Sequence, residues 1–184
     1  MDLLKFCKDL YKTPRSLTGE GVQKTLEYIQ DYIPLKIKKV KSGTHAFDWI
    51  VPPEWNIRDA YIIDLSTGKK IIDFKNHNLH VVGYSSPTNL EISYTDLINN
   101  IFYLKDQPEA IPYVTSYYSK KWGFCISYNQ FKKLKKSSKY RVFIDSDLNV
   151  NGELTYGELL IKGKVEDELF FSSYICHPQM ANNE

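Results

Sequence analysis

The sequence predicts an α/β fold carrying a β-rich insert, and three observations predict it. Apolar residues at helical spacing open the chain, a middle block alternates with period two between turn residues, and an uncharged run, LFFSSYI, stands near the end. Its 184 residues suffice for one full core, or for a compact domain plus a small insert.

Leu3, Leu4, Phe6, Leu10 and Tyr11 predict a helix over 3–11 that stops before Thr13 and Pro14. Val22, Leu26, Ile29 and Ile33 fall at i, i+4, i+7 and i+11, one stripe of a second helix that Pro34 ends. Thr18 is its expected N-cap, and Glu20 is favourable in the first turn. Leu35, Ile37 and Val40 among lysines predict an edge-like strand. Residues 61–64 and 70–74 flank Leu65-Ser66-Thr67-Gly68-Lys69 and predict a hairpin. Residues 94–104 carry Leu97, Ile98, Ile101 and Leu104, a short helix capped by Thr95 or Asp96. Residues 127–136 predict a basic helix capped by Ser127 or Asn129, followed by strands over 140–145 and 154–162. The run 169–175 has the composition of a strand covered on both faces, as at the centre of a parallel sheet.

Charge and composition narrow the function. Lys+Arg 24 against Asp+Glu 22 leaves a formal +2, too weak a field to hold nucleic acid or an anionic membrane by itself. No run of about 20 apolar residues is present, so no membrane span is expected. Cys7, Cys125 and Cys176 are odd in number and widely spaced, as in a reduced, cytoplasmic protein. The only basic run, Lys132, Lys133, Lys135, Lys136 and Lys139, lacks a stacking platform and reads as a solvated face.

Four histidines are candidates for chemistry. The carboxyl end of a central α/β strand is where such folds place ligands, and here that end carries Cys176-His177-Pro178. His177 reads either as a metal ligand or as a packed histidine with one hydrogen bond. Cys176 faces the other way along an extended chain and reads as a small core residue. His77 and His80 are offset by three, which places them on opposite faces of a strand; only a helical turn would bring them together, and the Asn-rich context argues against one. His45 stands alone. The segment from Phe47 to Asp59 holds Trp49, Trp55, Pro52 and Pro53, and reads as a stiff connector with Arg58 bridged to Asp48, Glu54 or Asp59, or as a ligand-facing loop. No G-x-S-x-G elbow, phosphate-binding glycine loop, dinucleotide fingerprint or CxxC pair occurs.

FFSSYICHPQMANNE resembles the first metal-binding loop of the co-catalytic zinc aminopeptidases, where a strand delivers a histidine and a following turn delivers a bridging aspartate. THAFDWIVPPEWNIRDAYI, NLHVVGYSSP and YVTSYYSKKWGFCIS, together with that loop, are similar to the bacterial aminopeptidase-like domain proteins associated with polysaccharide biosynthesis. The resemblance runs from about Arg15 to Glu184 and implies the N-terminal half of a protein roughly twice this length. An ending inside the ANNE loop agrees with that expectation. It implies a zinc-aminopeptidase-like mixed sheet with flanking helices, in three parts. Residues 1–45 would supply the N-terminal helices and first strand, 46–120 an inserted β-rich domain, and 121–184 the return to the aminopeptidase-like domain.

Carried over by position, His177 takes the place of the first zinc ligand and Asn183 that of the bridging aspartate. Asn183 departs from the pattern, because a neutral amide neither bridges two zinc ions nor balances their charge as a carboxylate does. The general base is expected further downstream, so no catalytic residue is assigned within these residues. The activity implied for the complete protein is zinc-assisted hydrolysis, with one or two ions, of a peptide or a small amide-bearing substrate. The 184 residues alone are expected to be inactive. The alternative is a non-catalytic binding module on the same scaffold, with the Trp49–Trp55 loop as its ligand surface.

Overall fold

The computed structural model describes residues 2–179. In chain order these form α1 (Leu3–Leu10), α2 (Glu20–Gln30), β1 (Lys36–Lys41), β2 (His45–Ala46), β3 (Trp49–Ile50), β4 (Glu54–Asp64) and β5 (Lys69–Asp73). A 3-10 turn (Asn78–His80) and β6 (Thr88–Ser93), α3 (Tyr94–Ile98), β7 (Ile101–Phe102), β8 (Phe124–Cys125), α4 (Tyr128–Phe131), β9 (Lys139–Asn149) and β10 (Glu153–Glu158) follow. The result is a mixed α/β chain with several small sheets. Two compact units divide it: Met1–Glu54 with Asn149–Glu184, and Trp55–Leu148. The second unit thus spans 55–148, where the sequence suggested 46–120. β9 extends it, because this strand lies between β4 and β6 in one sheet.

In the first unit α2 packs on the antiparallel pair β1–β10, in register from Lys36↔Glu158 to Lys41↔Glu153. α1 is capped by Asp2, whose carboxylate accepts from the Leu4 and Lys5 amides. Phe6 on α1 meets Tyr28 and Tyr32 on α2 at ring distances of 5.4 and 5.7 Å. Gly19, not Thr18, caps α2, and it offers no side-chain cap. Thr18 is buried instead, its hydroxyl donating to the Pro53 carbonyl at 3.3 Å. Gly21, in the first turn of α2, lets the helix close on the preceding loop: a Cβ there would lie 2.3 Å from the Pro14 carbonyl oxygen and 3.1 Å from the Arg15 Cα.

The second unit is built on a four-stranded sheet of order β5-β4-β9-β6. Strict alternation along β9 buries Tyr140, Val142, Ile144 and Ser146 on one face. Ala60 and Ile62 of β4, Leu97 of α3, and Phe124 and Ile126 complete that core. The predicted hairpin forms between β4 and β5, with Gly68 at φ 67° in its turn.

Several elements end earlier than their patterns suggest, each for a tertiary reason. Over 94–104 only Tyr94–Ile98 is helical, capped by Ser93. Leu97 and Ile101 share helical spacing, yet Ile101 reaches the core from β7, which pairs in parallel with β8. α4 stops at Phe131 because the Tyr140 hydroxyl accepts from the Lys135 amide at 2.7 Å and donates to the Lys135 carbonyl at 2.9 Å. Its cap is the Ser127–Gln130 capping box. β10 ends at Glu158 because its partner β1 begins at Lys36, just after Pro34 and Leu35. The run 169–175 is not a strand: no strand among the described residues pairs with it, and Leu169, Phe170 and Phe171 are 88%, 91% and 88% exposed.

Gly21→Ala tests the close approach of α2. Helix propensity would favour alanine by about 1 kcal/mol. The 2.3 Å contact is with backbone and cannot swing aside. The expected net effect is a destabilisation of about 1–3 kcal/mol, read as a lower urea midpoint with unchanged slope.

Candidate functional site

Of the two metal-site positions the sequence names, 177 and 183, the first lies among the described residues, and the structure holds it in a turn of the first unit. His177 precedes Pro178, which biases its backbone to extended conformations. Gln179 follows with φ 56°, a left-handed conformation that a non-glycine residue adopts at a cost of about 1–2 kcal/mol. A buried cation faces both flanking carbonyls. Arg15, 3% exposed, donates from Nε to the His177 carbonyl at 2.9 Å and from Nη1 to the Leu10 carbonyl at 2.9 Å. Its Nη2 donates to the Gln179 carbonyl. Among the described residues no carboxylate pairs with this guanidinium. Burial holds it below the ordinary arginine value, and it remains a cation.

The His177 imidazole is partly buried, edge-on to Tyr174 at 5.0 Å, with Nδ1 3.9 Å from the Cys176 sulfur. Burial and then the Arg15 charge lower its pKa, so the ring is neutral at pH 7, the form that ligates metal. Burial pushes the Cys176 thiol up, which keeps it protonated. Asn183 lies outside the described residues. Among those described, no group of three or more His, Cys, Asp or Glu side chains could hold an ion. The donor chemistry therefore fits one position of a zinc site and does not by itself make a site.

The remaining candidates resolve into structure. His77 and His80 are brought together by the helical turn that the sequence argued against, with rings 5.8 Å apart. His77 Nδ1 accepts from the Leu79 amide at 3.3 Å, capping the turn. His80 is 4% exposed and its Nδ1–H donates to the Cys125 carbonyl at 2.8 Å. His45 lies exposed in β2. Arg58 bridges none of Asp48, Glu54 or Asp59: it reaches across the sheet to Asp145 and Asp147 of β9. Trp55 is buried, stacked on Tyr84 at 5.7 Å, with Nε1–H donating to the Ser85 carbonyl at 2.9 Å. It is packing, which takes it out of any ligand-facing loop. Lys132 lies over the Tyr128 ring at 5.2 Å, and Lys135 pairs with Asp64 at 3.9 Å.

Sequence reading missed two residues. Arg15 has no local signal, because two of its acceptors lie 162 and 164 residues away. The one available hint is that arginine replaces the lysine this chain otherwise favours. Tyr84 adopts φ 64° while 3% exposed, held between Trp55 and the edge of Tyr117 at 5.0 Å. Ser85 beside it is fully buried and gathers three stretches of chain. Its carbonyl accepts from Ser146 Oγ at 2.7 Å, and its hydroxyl accepts from the Gly123 amide at 3.2 Å.

Residues 54–147 match the family described as "Domain of unknown function (DUF2172)". The chain belongs to this family. It is also 44% identical over 182 residues to a Clostridium acetobutylicum protein named "Putative polysaccharide biosynthesis protein with aminopeptidase-like domain", covering 99% of this chain and 41% of that protein. The fold matches a crystal structure of a "putative peptidase" from Clostridium acetobutylicum with a TM-score of 0.93 and 45% identity. That match covers 98% of this chain and 42% of the crystallised one. The DUF2172 chain thus spans about two-fifths of the length of the relatives it matches. The resemblance to aminopeptidase-like proteins drawn from the sequence stands. No helix among the described residues is long and apolar enough to cross a membrane.

The histidine pair gives the second unit a pH dependence. Burial first, and mutual repulsion for His77, hold both below the ordinary value of about 6.5. As pH falls below about 6.5 the unfolded chain binds protons that the folded chain resists, so stability is full above that value and declines below it. Urea midpoints for wild type should fall between pH 7.5 and pH 5. His77→Gln, which removes one proton site and the repulsion, should flatten that slope.

Proposed function

We propose that this chain is the N-terminal portion of a zinc-dependent, aminopeptidase-like hydrolase. Its substrate class is a peptide with a free N-terminus or a small amide-bearing molecule. The observation that carries the reading is the 44% identity, over 99% of this chain, to a protein named for its aminopeptidase-like domain. The geometry supports it by offering a neutral imidazole at 177 on a turn held from behind by a buried cation. The 55–148 unit interrupts the first unit in sequence, and we read it as an insertion into the aminopeptidase-like domain. No disulfide forms among Cys7, Cys125 and Cys176, which suits a cytoplasmic protein.

His177 would be one zinc ligand and Asn183 a second metal-site position. The chemistry a bound zinc supplies is Lewis-acid polarisation of the scissile carbonyl. This chain's own part is narrower. It holds one imidazole deprotonated at neutral pH, fixes its backbone, and keeps a positive charge close by. A carboxylate general base would come from residues beyond these 184.

Zinc content of the longest natural form, wild type beside His177→Ala, tests the reading. Stoichiometric zinc that drops on substitution is the expected result, and the stoichiometry reads the number of ions. No zinc in either protein, after growth with zinc, sinks the hydrolase reading and favours a non-catalytic scaffold. The isolated chain, loaded with zinc, should hydrolyse none of a panel of aminoacyl amides, because one assigned imidazole and a neutral amide leave the ion under-coordinated. Turnover by that chain would overturn the assignment of the general base to a downstream segment.

A further inference from the structure

We propose that Arg15 is the positioning residue of the His177 turn. It would set the backbone of residues 177–179 from the loop between α1 and α2, and so aim the imidazole. Hydrogen-bond geometry and burial carry this role, which rests on the reading above only for why that imidazole matters.

The 18 residues from 159 to 176 contain no helix or strand, so no ladder or helical bonding fixes where His177 emerges. Two constraints act on the turn. Ile175 lines a small cavity of about 70 Å³ together with Phe6, Leu10, Ile29 and Arg15. That surrounding is mostly apolar and has no direction. The second constraint is directional. One guanidinium takes the carbonyl before Pro178 and the carbonyl of Gln179, while its other edge takes the Leu10 carbonyl at the end of α1. Charge-assisted bonds to two carbonyls of one turn orient the carbonyl that precedes Pro178 and the carbonyl of Gln179. They also compensate for the left-handed backbone at Gln179.

Lysine cannot reproduce this. Its ammonium is a single point, whereas these three acceptors lie along the fork of a planar group. Gly21 keeps the arrangement possible, since any side chain there would strike Pro14 and the Arg15 Cα. Arg15 touches none of the reacting groups in the proposed reaction. Its effect would pass through the turn.

NMR relaxation on the 184-residue chain tests this without metal. In wild type the Arg15 Nε–H should be protected from exchange and show through-bond coupling to the His177 carbonyl carbon. Backbone order parameters at His177 and Gln179 should be near 0.85, the rigid range. In Arg15→Lys they should fall below about 0.6 while the α2 amides stay rigid. In Ile175→Ala, which leaves the guanidinium bonds, they should stay high. Turn order in Arg15→Lys equal to wild type overturns the proposal. So does an unprotected Arg15 Nε–H in wild type, a readout that stands even where the variant does not fold.

In the longest natural form, Arg15→Lys should weaken zinc binding by about 10–100-fold, as losing a group that orients a ligand does. Zinc absent from wild type with the turn still ordered by Arg15 would remove the zinc reading and leave this proposal intact. Zinc affinity unchanged in a variant whose turn has loosened would overturn the claim that Arg15 aims the imidazole.

Discussion

A guanidinium buried among three backbone carbonyls is the constraint on which the first unit depends. Removing an ion from water costs several kcal/mol, and a lone buried charge is among the most expensive features a fold can hold. Each charge-assisted hydrogen bond returns about 1.5–3 kcal/mol, so three such bonds are what makes Arg15 tolerable at its depth. The same bonds join the end of α1 to a turn more than 160 residues later. Cost and connection are therefore one feature. The cation is stable there only while the turn occupies its place, and the turn has a directional tether only while the cation is there.

The second unit is organised by ordinary burial. Alternation along β9 fills one side of a four-stranded sheet, and α3 and the β7–β8 pair close over it. Its unusual part lies around Tyr84 and Ser85. A bulky residue in the left-handed region is accepted because its ring is fixed by Trp55 on one side and Tyr117 on the other. Ser85 then spends its carbonyl on Trp55 and Ser146 and its hydroxyl on Val82 and Gly123. The stretches that carry the family resemblance in this unit meet there as packing, which explains their aromatic and small-residue composition without a ligand.

The uncharged run ahead of Cys176 has the opposite character. Leu169, Phe170 and Phe171 stand in solvent, as do Leu160 and Ile161 earlier in the same irregular stretch. Solvated apolar area of this kind is unfavourable and marks a surface suited to contact. Among the described residues no strand lies beside it. The matched relatives are more than twice as long as this chain.

The sequence by itself determined whatever depends on neighbours a few residues apart. Helical stripes located α1 and α2, and strand-forming runs at 61–64, 70–74 and 140–145 located the end of β4, β5 and the start of β9. Turn residues located the hairpin at Gly68, while 54–59, read as connector, proved to be the first half of β4. Hydrophobic periodicity is a local property, and local bonding satisfies it. His177 was singled out by the CHP motif and its resemblance, as the end of a strand, and the structure places it in a turn instead. Tertiary structure decided everything that needs a distant partner. Pairing with β8 turned Ile101 from a helical position into a strand, and Tyr140, nine residues beyond the end of α4, took the Lys135 backbone groups that a longer helix would use. A 3-10 turn set His77 against His80, and β9 took the Arg58 bridges expected from its neighbours. Composition marked 169–175 as a strand, but a strand exists only where a ladder partner supplies its hydrogen bonds. Arg15 is the clearest case. Its residue type is readable at a glance, while its role lies in two carbonyls that only the fold brings within 3 Å or so of its nitrogens.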